Sequence, residues 1–151
     1  MAYPIRVLII CQHNGGRSQI AEAYLKRFGG GKLHVESAGL EPAERVNPMV
    51  ADVMKEEGFD IAGNKARNVF ELYKQGSLFN YVITVCADTE LKCPIFPGIT
   101  KRFHWPFRDP AGVEGTPDEK LAKVRQIRDM IKAKLLNPPE GEFSFQKLMQ
   151  E

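Results

Sequence analysis

The chain alternates between two kinds of apolar pattern. Residues 5–11 (IRVLIIC) form a β-branched, almost wholly apolar run, the pattern of a strand covered on both faces. Over residues 18–28, Ile20, Ala21, Tyr24, Leu25 and Phe28 recur at helical spacing, and Gly29-Gly30-Gly31 supplies the stop. Residues 33–38 read as a second strand. Asn47-Pro48 opens a helix in cap-then-proline order that runs to Gly58, and Asn68 caps a shorter one through Tyr73, closed by Gly76. Residues 81–86 (YVITVC) are another buried strand and 99–104 a weaker one. A Pro/Gly-rich loop over 105–117 leads to a helix over 118–136, where Leu121, Val124, Ile127, Ile131 and Leu135 share one face.

Strands alternating with helices specify an α/β fold with a four-stranded parallel sheet, wound right-handedly and carrying helices on both faces. The expected strand order is the flavodoxin-like 2-1-3-4, whose switch point lies between strands 1 and 3, and ligands bind outside the carboxyl ends of the strands there. Cys11 ends the first strand and Cys86 the third, so both thiols are expected at one crevice. The expected organisation is one domain over residues 1–136 and a C-terminal tail over 137–151. That tail carries two Phe, a Leu and a Met able to dock.

Composition narrows the function classes. At 151 residues, 43% hydrophobic and 26% charged, the chain is an ordinary globular one. A formal charge of +2, with basic residues scattered rather than striped, argues against a nucleic-acid binder. The longest purely apolar run, residues 7–11, is far short of the ~20 residues that span a bilayer, and the N-terminus shows no signal-peptide pattern. Three cysteines are too few for a disulfide framework. The expectation is a cytoplasmic monomer without nucleic-acid or membrane partners. A phosphate-loop reading at Gly31-Lys32 fails, because Leu33 follows where Ser or Thr is needed.

The candidate chemistry lies in Cys11-Gln12-His13-Asn14-Gly15-Gly16-Arg17-Ser18, a Cys-x5-Arg-Ser turn from a strand into a helix. The spacing alone is weak, since chance supplies such a match in roughly one chain of this composition in six. Its context is stronger. The turn leaves a buried strand, holds two glycines that let backbone N–H groups converge, and opens a helix whose N-terminus attracts anions. Arg17 adds a planar fork matched to a tetrahedral oxyanion, and Asn14 is placed to hold the loop's shape. The same groups, with the Ser18 hydroxyl, favour a thiolate at Cys11. Gln12, His13, Asn14, Gly15, Gly16, Arg17 and Ser18 are therefore the candidate oxyanion cradle. Taken alone, Cys11 and Cys86 would be inert core thiols, Asp109-Pro110 a turn, and His34 and His104 packing residues at strand ends. No Cys-x2–4-Cys spacing supports a zinc site.

Cys-x5-Arg-Ser on the first strand–helix turn, with Asp109-Pro110 late in the chain, resembles the low-molecular-weight protein tyrosine phosphatases. The branch it is most similar to is that of the thioredoxin-coupled arsenate reductases. The shared segments are NGGRSQIAEA, ESAG, VNP, VCADTELKCP and HWPFRDPAG. Cys86-x6-Cys93 is the most specific element, for the phosphatases lack it and carry aromatic residues where Ala111-Gly112 stands here.

The resemblance implies a relay of three cysteines. Cys11 attacks arsenate in the loop, with Asp109 as general acid and Arg17 on the oxyanion. Cys86 then attacks the sulfur of the Cys11–arsenic adduct, releasing arsenite and leaving a Cys11–Cys86 disulfide, and Cys93 attacks that bond to give a Cys86–Cys93 disulfide for reduction by thioredoxin. Phosphate and sulfate are the implied competing oxyanions, and no cofactor is implied. Some relatives bind potassium through positions that align with Asn14, Glu22 and Ser37. Their fourth ligand is an Asp, whereas Asn68 stands here, so no metal is expected. The alternative is a phosphatase that hydrolyses phosphate monoesters through a Cys11 phosphoenzyme, which needs neither later cysteine.

Overall fold

The computed structural model describes residues 5–86 and 100–149. The apolar run becomes the central strand β1 (Ile5–Cys11), flanked by β2 (Leu33–Gly39) on one side and β3 (Tyr81–Thr84) on the other, with β4 (Lys101–His104) at the far edge. All pairings are parallel and the order is β2-β1-β3-β4, the expected one. Leu8 and Ile10 face one side of the sheet and Val7, Ile9 and Cys11 the other, and all are buried, which is why the run carries no polar alternation. β4 is mostly exposed and brings Lys101 and Arg102 to the open edge, where charge discourages further pairing.

Helices α1 (Arg17–Gly29), α2 (Pro48–Glu56), α4 (Pro117–Leu136) and α5 (Phe145–Met149) cover the Val7/Ile9/Cys11 face. The short α3 (Val69–Lys74) covers the other through Val69 and Leu72. Each helix starts as its residues dictate. Asn47 and Asn68 accept hydrogen bonds from the first-turn N–H groups of α2 and α3. Thr116 and Glu119 form a reciprocal capping box on α4, with Pro117 in its first turn. On α4, Val124, Ile127, Ile131 and Leu135 are buried as the spacing requires, while Leu121 is only half-buried.

β3 is shorter than the apolar run 81–86 suggests. Val85 N–H still donates to Ile10 carbonyl, but Cys86 lies past the end of the ladder. The chain beyond β4 keeps beside β3, with Trp105 N–H on Thr84 carbonyl and Phe107 N–H on Val85 carbonyl. That path delivers residues 107–111 to the carboxyl end of β1. The tail docks on the α1 face. Phe145 stacks on Phe28 with ring centroids 5.3 Å apart, Phe143 meets Tyr81 edge-on, and Trp105 Nε1 donates to Glu142. Among the described residues, no helix is long and apolar enough to cross a membrane.

Candidate active site

β1 ends at Cys11 and α1 begins at Arg17, and the five residues between them wrap around the cysteine sulfur. Asn14 N–H donates to Cys11 Sγ at 3.1 Å, and Ser18 Oγ lies 2.8 Å from the same sulfur. Ser18 Oγ also accepts from Asn14 Nδ2 at 2.7 Å. Cys11 Sγ thus has two hydrogen-bond partners, Asn14 N–H and Ser18 Oγ.

Asn14 holds this arrangement. It is fully buried and, among the described residues, is the only one other than glycine with positive φ, at 51°. Asn tolerates that left-handed backbone better than most residues. Its Nδ2 also donates to Ser37 Oγ at 2.9 Å, its Oδ1 accepts from Arg67 N–H at 2.8 Å, and its carbonyl accepts from Gln19 Nε2 at 3.1 Å. Behind it, Ser37 donates to Glu22 Oε1 at 2.5 Å, and Lys26 Nζ sits 2.8 Å from Glu22 Oε2. Glu22 is paired with the Lys26 ammonium, and the Asn68 side-chain oxygen accepts from the N-terminus of α3. Asn14, Ser37 and Glu22 form a hydrogen-bond chain.

Residues 41–47 clamp the loop from outside. Glu41, Ala43 and Asn47 N–H groups donate to the carbonyls of Gln12, His13 and Gly15, each at 2.8 Å. Those carbonyls are thus occupied on the outer side, which keeps their negative ends off an anion in the cradle. His13 remains exposed, with Nδ1 2.8 Å from Glu41 carbonyl. Gly16, the residue before α1, makes no side-chain cap, so the first-turn N–H groups remain available to a ligand.

Arg17 is buried at 5% exposure. Its Nη1 donates to Phe107 carbonyl at 3.0 Å, and its Nη2 lies 3.7 Å from Asp109 Oδ2. Asp109 is half-exposed and also accepts from Ala111 N–H at 2.9 Å, so it is both a turn residue and a carboxyl group over the loop. Cys11, Arg17 and Asp109 line one open cavity of about 180 Å³, together with His13, Gly15, Gly16 and Pro110. Sites for drug-sized ligands run to roughly 300–1,000 Å³, so this one suits a small anion.

The remaining expected residues fall differently. Gln12 is half-buried beside the loop, and Ser18 is buried behind the sulfur rather than at the cavity wall. Cys86 is buried, with its sulfur 3.9 Å from Ile10 carbonyl, and does not line the cavity. No disulfide joins it to Cys11. Cys93 lies outside the described residues. His104 Nδ1 pairs with Thr84 Oγ1 at 2.7 Å, and His34 lies beside Glu36.

Four contributions were not foreseen from sequence. A Cβ on Gly39 would come within 2.8 Å of Asn14 N and His13 C, so the loop can cross the end of β2 only over a glycine. Gln19 ties Asn14 to Asn64, Arg67 supplies a backbone donor, and Phe107 a backbone acceptor. Only Gln19 carried a signal, a polar residue between Ser18 and Ile20 on a buried helix start. Backbone partners leave no trace in residue type.

The architecture has known counterparts. The family model for low molecular weight phosphotyrosine protein phosphatase matches residues 6–137. An arsenate reductase of Bacillus subtilis (strain 168) is 39% identical over 127 residues, covering 83% of this chain and 88% of the relative. Among solved structures, an arsenate reductase in the phosphate binding state superposes with a TM-score of 0.68 at 26% identity, covering 97% of each chain. A thioredoxin-dependent arsenate reductase of Corynebacterium glutamicum gives 0.59 at 32% identity, covering 88% of this chain and 63% of the other. The match runs through the loop, all four strands and α4, and the chain belongs to the low molecular weight phosphotyrosine protein phosphatase family, where its similar relatives include arsenate reductases.

Proposed function

We propose that this protein reduces arsenate to arsenite through a thiol–disulfide relay regenerated by thioredoxin. The observation that carries the reading is the placement of a twice hydrogen-bonded Cys11 sulfur under an oxyanion loop, with a second thiol at the end of the adjacent strand. Relatives with this activity span most of the chain, and one solved neighbour uses thioredoxin.

The chemistry balances with these residues. The Cys11 thiolate attacks arsenic and forms an S–As bond. An arsenate oxygen departs as water, with Asp109 donating a proton and Arg17 and the α1 N–H groups holding the remaining oxygens. The Cys86 thiolate then attacks Cys11 sulfur. The S–As electron pair stays on arsenic, which leaves as arsenite, and a Cys11–Cys86 disulfide forms. Cys93 attacks Cys86, expels the Cys11 thiolate and holds the new disulfide, to which the thioredoxin dithiol supplies two electrons.

The sheet register supports the second step. Ile10 pairs with Thr84, so Cys86 follows the position opposite Cys11 by one residue. Beyond the ladder, Val85 N–H still donates to Ile10 carbonyl and Cys86 Sγ lies 3.9 Å from the same carbonyl, one residue from Cys11. Phosphate fits the same cradle, and a solved relative is described in a phosphate binding state. The family also favours phosphate-monoester hydrolysis as a side reaction through Cys11 and Asp109.

The deciding assay is arsenate-dependent NADPH oxidation in the presence of thioredoxin and its reductase, with arsenite measured as product. Turnover in the wild type and its loss in Cys86→Ser are expected. Arsenate-independent aryl-phosphate hydrolysis as the sole activity would replace the reductase reading with the phosphatase one.

A further inference from the structure

Resting on the oxyanion reading of the loop, we propose that Arg45 is a second substrate-binding cation, which captures the tetrahedral dianion at the mouth of the cavity and lowers the concentration at which it binds. Arg45 lines the same cavity as Cys11, Arg17 and Asp109. It belongs to the segment that clamps the loop. Its neighbours Ala43 and Asn47 bond to His13 and Gly15 carbonyls, and its own carbonyl lies 3.4 Å from where a Cβ on Gly15 would stand. The backbone that carries the guanidinium is thus fixed against the cradle.

An exposed arginine is ordinarily just a solvated surface group. Arg45 differs in that, among the described residues, no carboxylate or carbonyl engages its side chain, although it stands at a cavity wall. Several other surface cations are committed, Arg67 to Glu36, Arg125 to Glu56 and Lys132 to Glu57, whereas Arg108, which like Arg45 has no side-chain partner among the described residues, does not line the cavity. Arg17 is itself partly spent, with one nitrogen on Phe107 carbonyl and another near Asp109.

Charge bookkeeping in the cavity points the same way. An arsenate or phosphate dianion approaching the Cys11 thiolate brings the local charge to about −3. Arg17 supplies +1 and the α1 N-terminus the equivalent of about +0.5. Asp109 adds no positive charge in either protonation state. A second guanidinium at the rim closes much of that gap, and its exposure lets it meet the anion before desolvation.

The test compares Arg45→Gln and Arg45→Lys with the wild type. Phosphate protection of Cys11 against iodoacetamide is read at low ionic strength and again at ~1 M salt, where the Debye length falls to about 3 Å. In Arg45→Gln the half-protecting phosphate concentration should rise roughly 5- to 10-fold at low salt, the range for a charge-assisted contact at a partly exposed site. Arg45→Lys should recover most of the loss, and the gap should shrink at high salt. Single-turnover arsenite release should show the same shift in KM with an unchanged saturating rate. A midpoint for Arg45→Gln within twofold of wild type at low salt overturns the proposal. If no variant, wild type included, makes arsenite while the protection shift persists, the reductase reading fails and Arg45 stands as an anion ligand. If arsenite forms and protection does not shift, Arg45 alone is refuted.

Discussion

Arg17 Nη2 stands 3.7 Å from Asp109 Oδ2, a contact between the first turn of α1 and the loop after β4. The two are far apart in sequence and meet because the chain beyond β4 continues beside β3 and crosses the carboxyl end of β1. The buried guanidinium has two jobs there. In the proposed reaction it would offer its fork to the oxyanion and hold the carboxyl group within reach of the oxygen that must leave.

Asp109→Asn separates proton donation from folding. Asn keeps the carbonyl oxygen that accepts from Ala111 N–H, so the turn survives. The chemical step should slow by roughly 10²–10⁴-fold while phosphate still protects Cys11. An unchanged single-turnover rate would reduce Asp109 to its turn role.

The relay predicts a count of products. Cys93→Ser should release about one arsenite per chain and stall with Cys11 bonded to Cys86, and Cys86→Ser should release none. Peptide mapping of the stalled species identifies the bond. Sustained thioredoxin-coupled turnover by Cys93→Ser would remove the third cysteine from the mechanism.

Loop geometry should prove sensitive to residues that touch no substrate. Asn14→Ala loses the side-chain bonds to Ser18, Ser37 and Arg67 and leaves alanine at a positive φ. Gly39→Ala drives a methyl into the backbone of His13 and Asn14. Each should cost about 1–3 kcal/mol in unfolding free energy and, through displaced catalytic groups, roughly 10²-fold in single-turnover rate. Wild-type kinetics in Gly39→Ala would show that the crossing relaxes without moving the sulfur's partners.

Away from the site, α2 and α4 are joined by Glu56. Arg125 grips its carboxylate through Nε and Nη2, and Arg128 Nη1 adds a contact at 2.9 Å. The hydrogen bond from Arg125 leads in pulling the carboxyl from its ordinary 4.5 down to about 2. A lowered folded-state value stabilises the fold above the unfolded value and is lost on acidification. The contribution should therefore be present above about pH 4.5 and fade as the pH falls toward 2. Glu56→Gln should lower the urea midpoint at pH 7 and match the wild type near pH 2. An equal deficit at both pH values would assign the effect to packing rather than charge.

Residue type and spacing were enough for the sheet and its order and for the strand–helix loop with Cys11 at its base. Those features rest on local rules: an apolar run covered on both faces, Asn before proline at a helix start, glycines and an arginine at a strand–helix turn. Folding brought Asp109 and Phe107 to Arg17, Gly39 under the loop, and Asn14 into contact with Ser37 and Arg67, because these are encounters across strand ends. It also took Cys86 off the end of β3 into the core, out of the cavity the strand pattern suggested, and found the tail's place through Phe143 and Phe145. Spacing along one chain records which residues share a face of an element. Which faces and loop ends meet depends on how the elements pack, and at this site much of that meeting is made by backbone N–H and carbonyl groups that every residue carries alike.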